Sequence, residues 1–268
     1  MKKTFFVILF LISFVFAQRI VSLAPPVTNQ MLALGVDNLL IGKTAYCPKN
    51  AGDNLQIIGD VINISGESVL ALNPDFVLAG GLTNKNLLER LQNSGVEVFV
   101  IPDPKNYEEL RENFRNIAEI CGVLSKADSI LAEIDEKYSQ ILEENRKLTN
   151  RRKIFIQLST NPIYTIMKNT LGNEIIEASG GVNAFDLLGG AVVSREAVIA
   201  ANPDLILVAN MERLSEKEVA RWKKFRNLSA VRNNAVFIFD GYAIGSPTPV
   251  SFIETILKIR TLNVGGVK

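Results

Sequence analysis

The 268-residue chain contains no histidine. That absence removes the usual general base at neutral pH and the commonest zinc ligand, so Ser–His–Asp triads, Cys–His nucleophile pairs and His-rich metal sites are excluded. Only two cysteines occur, Cys47 and Cys121. Two do not make a disulfide framework, and a chain of this length needs none; whether they bridge is left open. An excess of either charge is lacking too, with 29 Lys and Arg against 28 Asp and Glu. No basic run interleaves with aromatics, so there is no electrostatic case for nucleic acid. Gly180-Gly181 and Gly189-Gly190 do not fit the Gly-x-Gly-x-x-Gly pattern of a dinucleotide grip. A long apolar run is found only at the N-terminus.

That run, Phe5–Phe16, follows Lys2 and Lys3 and ends at Ala17, with the small Val15 two residues before it. A positive start, a short apolar middle and small residues at the cut make a cleavable signal peptide over residues 1–17. The run is short for a membrane span, although an uncleaved anchor is the other reading. No cysteine follows the cut, so no lipid anchor is expected there. The expectation is a soluble monomer starting at Gln18, exported to the periplasm or an otherwise extracytoplasmic space. At 47% hydrophobic and 21% charged residues, the composition suits a globular protein with a substantial core.

What the sequence does have is one motif written twice. Ser65–Ala79 and Ser194–Val208 align without a gap, bringing Glu67, Asn73, Pro74 and Asp75 onto Glu196, Asn202, Pro203 and Asp204. Each copy reads as an N-capping serine, two helical turns, an Asn-Pro-Asp stop and a strand. Proline disfavours the α region for the asparagine before it, which ends the helix. The strands, Phe-Val-Leu-Ala and Leu-Ile-Leu-Val, are apolar throughout and suit burial on both faces of a parallel sheet. A repeat this long means two similar α/β lobes. Residues 18–124 form the first lobe and 151–268 the second.

Between them, residues 125–150 read as a connecting helix. Ser125 and Asp128 form a capping box, and Ala127, Ile130, Leu131, Ile134, Tyr138, Ile141 and Leu142 hold helical spacing. No Gly/Ser hinge interrupts it, so little lobe motion is expected. Elsewhere, Asn106 caps a helix with Glu109 at the capping-box position, and Leu82, Leu87, Leu88 and Leu91 point inward from the helix before it. Cys121 reads as a buried small hydrophobe.

Four segments, taken in order and spacing, resemble the periplasmic binding proteins of ABC importers that deliver vitamin B12, ferric siderophores and haem. They are Arg19–Pro25, the doubled Glu-to-Asn-Pro-Asp motif, Leu171–Ile176 with Gly180–Ala184, and Trp222 followed by Leu228–Val231 and Val236–Ile238. The resemblance covers nearly the whole chain after residue 17. It implies two lobes with central, mostly parallel sheets joined by one rigid helix, a ligand in the cleft, a binding protein and not an enzyme, and a permease dimer in the inner membrane as partner. It further implies that Glu67 and Glu196 dock onto permease arginines, one per subunit. A first-turn glutamate also favours the positive end of the helix dipole by roughly 0.3–1 kcal/mol. That accounts for each glutamate singly, but not for both copies keeping it while Ser68 and Leu72 became Ala197 and Ala201.

In open α/β sheets the loops beyond the C-terminal strand ends face the cleft. This selects Tyr46, Gly80-Gly81, Pro102-Asp103, Ser159–Asn161, Asn210 with Met211, and Asp240–Tyr242 as ligand-facing, with Phe185 as a candidate lid. Aromatics give a large flat ligand contact area at small entropic cost; Tyr164 reads as core. The resemblance implies an iron(III)-siderophore or related large iron or corrinoid chelate, with no cofactor and no metal bound directly by the chain. Cobalamin and haem are the alternatives. B12 binders present tryptophans near the positions of Val61 and Gly80-Gly81, whereas the only tryptophan here is Trp222, so a corrinoid is open but not favoured. Haem binders ligate iron through Tyr or His, and only Tyr is available. The other class is an exported two-lobed enzyme such as a transferase, for which the sequence offers neither a phosphate-gripping turn nor an acid/base carboxylate pair.

Overall fold

A computed structural model describes residues 18–52, 55–60, 62–185, 190–210 and 215–262. The signal segment, Val61 and Met211 lie outside the described residues. The first lobe runs β1 (Ile20–Ser22), α1 (Pro25–Leu34), β2 (Leu40–Lys43), β3 (Gln56–Ile57), α2 (Gly66–Ala71), β4 (Phe76–Gly80), α3 (Lys85–Asn93), β5 (Glu97–Ile101) and α4 (Tyr107–Ile120). The connector is α5 (Leu124–Arg146). The second lobe runs β6 (Arg152–Gln157), β7 (Ile163–Tyr164), α6 (Leu171–Ala178), β8 (Gly181–Asn183), β9 (Val192–Val193), α7 (Arg195–Ala201) and β10 (Leu205–Ala209). It closes with α8 (Ser215–Trp222), α9 (Ser229–Arg232), β11 (Val236–Phe239), α10 (Tyr242–Gly245) and α11 (Pro249–Thr261).

The two sheets share one topology. The first has strand order β3-β2-β1-β4-β5 and the second β11-β10-β6-β8, with every pairing parallel. Leaving out the edge strand β3, the order β2-β1-β4-β5 of the first sheet corresponds to β8-β6-β10-β11 of the second. The repeat supplies β4 and β10, central strands whose apolar runs are buried on both faces. Its aspartate is a clasp. Asp75 Oδ2 accepts from Arg19 N at 2.8 Å, and Asp204 Oδ2 accepts from Lys153 N at 2.9 Å, just before β1 and at the start of β6. The basic side chains of the same two residues donate to Leu72 O and Ala201 O, the equivalent carbonyls at the end of α2 and α7.

The stop in each copy has a different backbone from the one expected. Asn73 and Asn202 both sit at φ 46°, in the left-handed region, and not in the extended region that a following proline favours. Asparagine tolerates that region better than other non-glycine residues.

Helix α5 has 23 residues and so spans about 35 Å. Ala127 and Leu131 join the first-lobe core, while Ile134 and Ile141 join the second-lobe core. The expected capping box is absent. The helix starts at Leu124 with Val123 as an uncapped N-cap, and Asp128 pairs instead with Arg115 of α4 at 2.9 Å. Asn106 does cap α4, accepting from Glu109 N at 2.8 Å, but Glu109 turns to Lys105 N. Leu82 is 82% exposed, not inward. Both cysteines are free and buried. Among the described residues no helix is long and apolar enough to cross a membrane.

Candidate ligand-binding cleft

Because all strands in each sheet are parallel, their C-terminal ends form one edge per lobe. The two edges are turned toward each other, since Asn29 Nδ2 on α1 donates to Ser246 O of the second lobe at 2.6 Å. A slot of about 70 Å³ lies at this junction, lined by Gly80 at the end of β4, by Gly81 and Asp103 just beyond β4 and β5, and by Pro247 of the second lobe. A larger groove, lined by Tyr138 and Glu174 among others, lies beside the connector and away from the strand ends.

On the first-lobe rim, Tyr46 is 62% exposed in the turn after β2. That turn is fastened from beneath: Cys47 N donates to Thr44 O at 3.1 Å, and Cys47 Sγ lies 3.0 Å from Thr28 Oγ1 and 3.2 Å from Thr44 Oγ1. A short turn held by its neighbours presents an aromatic ring at little ordering cost. Gly80 is fixed by a bond from its N–H to Thr83 Oγ1 at 3.2 Å. A Cβ there would meet Ala24 Cβ at 2.8 Å, so only glycine lets the edge of β4 approach α1.

On the second-lobe rim, Gln157 Nε2 holds Ser159 O at 3.0 Å, and Ser159 Oγ donates to Pro162 O. These bonds shape the turn that exposes Asn161, which precedes a cis proline. Asn210 Oδ1 accepts from Gly241 N at 3.1 Å, and Asp240 Oδ1 accepts from Tyr242 N at 3.1 Å. Tyr242, placed in a loop by its sequence, opens the one-turn helix α10 and is 51% exposed. Behind this rim, Trp222 Nε1 donates to Gln157 Oε1 at 2.6 Å, and the Arg195 guanidinium lies over the indole, 4.3 Å from its centroid. Arg195 pairs with the buried Glu218, joining α7 to α8. Nothing in the sequence linked Trp222 to the Ser159 turn; the contact spans 65 residues.

Gly80 and Gly81 therefore share a slot, while Tyr46, Asn161 and Tyr242 follow the C-terminal ends of β2, β6 and β11 and do not line it. Two expectations are corrected. Phe185 is 7% exposed and packs edge-on against Phe155 in the second-lobe core, so it is no lid. Tyr164 is half exposed, because β7 is a short outer strand covered on one side only.

Glu67 and Glu196 are both exposed in the first turns of α2 and α7, behind serines that cap identically: Ser65 Oγ accepts from Ser68 N and Ser194 Oγ from Ala197 N, each at 3.1 Å. Hydrogen bonds from the backbone, then from Ser194, hold the Glu196 carboxyl below the usual range. Among the described residues no group of three or more His, Cys, Asp or Glu side chains could hold a metal ion.

Residues 20–243 match the model of the periplasmic binding protein family. The chain is 28% identical over 232 residues to the uncharacterized ABC transporter substrate-binding lipoprotein YvrC of Bacillus subtilis, covering 83% of this chain and 73% of that one. It is also 28% identical over 237 residues to the vitamin B12-binding protein of Vibrio parahaemolyticus, covering 87% and 84% respectively. Among solved structures, the periplasmic haem-binding protein HutB of Vibrio cholerae superposes with a TM-score of 0.81 at 21% identity, covering 92% of this chain and 99% of that one. This last likeness speaks to the fold alone.

Proposed function

The chain belongs to the periplasmic binding protein family, and on that premise we propose that it captures a large metal chelate in the inter-lobe cleft and delivers it to the permease of an ABC importer. The observation that carries this reading is the pair of like lobes whose strand-end rims oppose each other across a preformed junction. Tyr46 and Tyr242 offer exposed rings from loops beyond strand ends of the two lobes, and in this reading they contact the chelate together with Gly80, Gly81 and Asn161. The relatives carry names of solute-binding proteins, including a B12 binder, which favours capture over turnover. Export by a segment cleaved before Gln18 completes the route, and the intact mass of secreted protein tests it: retention of residues 1–17 would mean an anchor.

Absorbance titration decides the capture step. A cobalamin, haemin and a ferric siderophore, each visibly coloured, should be compared on wild type, Tyr46→Ala and Tyr242→Ala. One chelate is expected to bind, about tenfold more weakly to each variant, since losing a stacked aromatic costs roughly 1–3 kcal/mol. Unchanged affinity in both variants would remove the tyrosines from the site.

A further inference from the structure

The slot at the cleft floor holds a polar side chain that the fold does not use. Gln30, on α1, is 1% exposed, and its Oε1 has no hydrogen-bond partner among the described residues. Buried side-chain amides are paired in the large majority of cases, and an unpaired one is costly. Gln30 lines the slot. We infer that this slot is a subsite for a hydrogen-bond-donating side group on the rim of the chelate, a primary amide or an amine, and that it disfavours carboxylate rims. The inference rests on the capture reading above and names the ligand chemistry within it.

Three further features point the same way. A volume of about 70 Å³ is well below the roughly 300–1,000 Å³ of a whole ligand site, so it admits one side group while the body of the chelate stays between the rims. Its walls include Pro25, Pro26, Pro102, Pro104 and Pro247. Proline fixes its own φ and has no N–H to donate, so the slot is stiff before the ligand arrives and those five positions offer only carbonyl oxygens. Asp103 places an exposed carboxylate beside Gly81, where an added Cβ would meet its Oδ2 at 3.4 Å. An ionised carboxylate only accepts hydrogen bonds. An N–H-bearing group that reached the Gln30 amide would find an unpaired acceptor there and the Asp103 carboxylate on the same wall, whereas a second carboxylate would face like charge. Pro247 closes the slot from the second lobe, directly after Ser246, whose carbonyl accepts from Asn29. The side group would therefore be enclosed by both lobes at once.

The test uses the mature protein with three probes: cyanocobalamin, whose rim carries primary amides; ferrioxamine B, which ends in an ammonium; and haemin, whose rim carries carboxylates. Wild type is expected to bind one of the first two at least tenfold more tightly than haemin, and Gln30→Leu to weaken that binding about tenfold. Which of the two binds separates the amide source from the amine source. Ligand-free Gln30→Leu should melt at the same temperature as wild type or about 2–4 °C higher, since it removes an unpaired buried polar group. Haemin binding as tightly as either donor-bearing probe would overturn the inference and leave the capture role standing. So would an unchanged affinity in Gln30→Leu. A lower melting temperature in that variant would mean that the amide is structural, which also overturns it. Failure of all three probes would count against the capture reading itself.

Discussion

Asn73 and Asn202 hold the same left-handed backbone angle, so the repeat conserves a conformation as well as a set of letters. For an ordinary L-residue that region costs roughly 1–2 kcal/mol, and glycine carries no such strain. Urea denaturation should accordingly show Asn202→Ala about 1 kcal/mol less stable than Asn202→Gly; equal stability of the two variants would mean that the backbone angle costs nothing there. That side chain does have a second job, since Asn202 Oδ1 accepts from Ser229 N at 2.8 Å, and any loss shared by both variants measures it. The sequence showed where the helix stops but not how, because the proline rule excludes one backbone region without choosing among the others. The cysteines give a second residue-scale expectation. Both are free and buried, and burial pushes the Cys121 thiol up to about 11. The reactive thiolate is therefore scarce at pH 8. Ellman's reagent should label neither cysteine in native protein and both in denaturant without reductant; two unreactive cysteines in denaturant would mean a disulfide.

At the scale of the element, the doubled motif was legible because it is local. A serine cap, an apolar face and a buried strand are written in consecutive residues. Elements that depend on distant partners were harder to read. In α5, Asp128 reaches Arg115 on α4 in place of the expected cap, a contact that no window of adjacent residues contains. The single turn of α10 and the two-residue strands β7 and β9 are too short to show a period. Helices α2 and α7 present Glu67 and Glu196 at matching points of the two lobes, and a rigid α5 would keep their separation fixed. One exposed ion pair with a permease arginine would contribute about 0–1 kcal/mol, but two at fixed spacing reinforce each other, because the second contact is intramolecular once the first has formed. Glu67→Arg and Glu196→Arg should each leave chelate affinity unchanged while reducing pull-down of the reconstituted permease, the double variant most of all. Transport at full rate by the double variant would reduce both glutamates to helix-start residues.

On the scale of the whole molecule, four helices meet on the closed side of the cleft. Glu174 of α6 accepts from Tyr107 N at 2.8 Å and from Tyr138 OH at 2.7 Å, and Tyr107 stacks on Phe252 of α11 with centroids 4.7 Å apart. One carboxylate thus ties the first lobe, the connector and the second lobe together. Glu174→Ala leaves two donors without partners and should cost about 2–4 kcal/mol. Burial, and then the bonds to Asp135 and Glu174, raise both tyrosine hydroxyls well above 10. Raised folded values mean that this contribution is complete below pH 10 and fades as pH climbs past it. Alkaline unfolding monitored by circular dichroism should begin above about pH 10 and shift in Tyr138→Phe; a profile flat into stronger alkali would contradict the assignment. This junction was unreadable in the sequence, since its residues are scattered from 107 to 252. Its neighbour across the second lobe has a practical consequence. Trp222 is the only tryptophan, sealed beneath Arg195 and bonded to the residue that shapes the Ser159 turn. The protein therefore carries a single built-in lamp at one fixed address. Any coloured cargo entering the cleft would dim it by energy transfer, so occupancy could be followed in unlabelled protein by light alone.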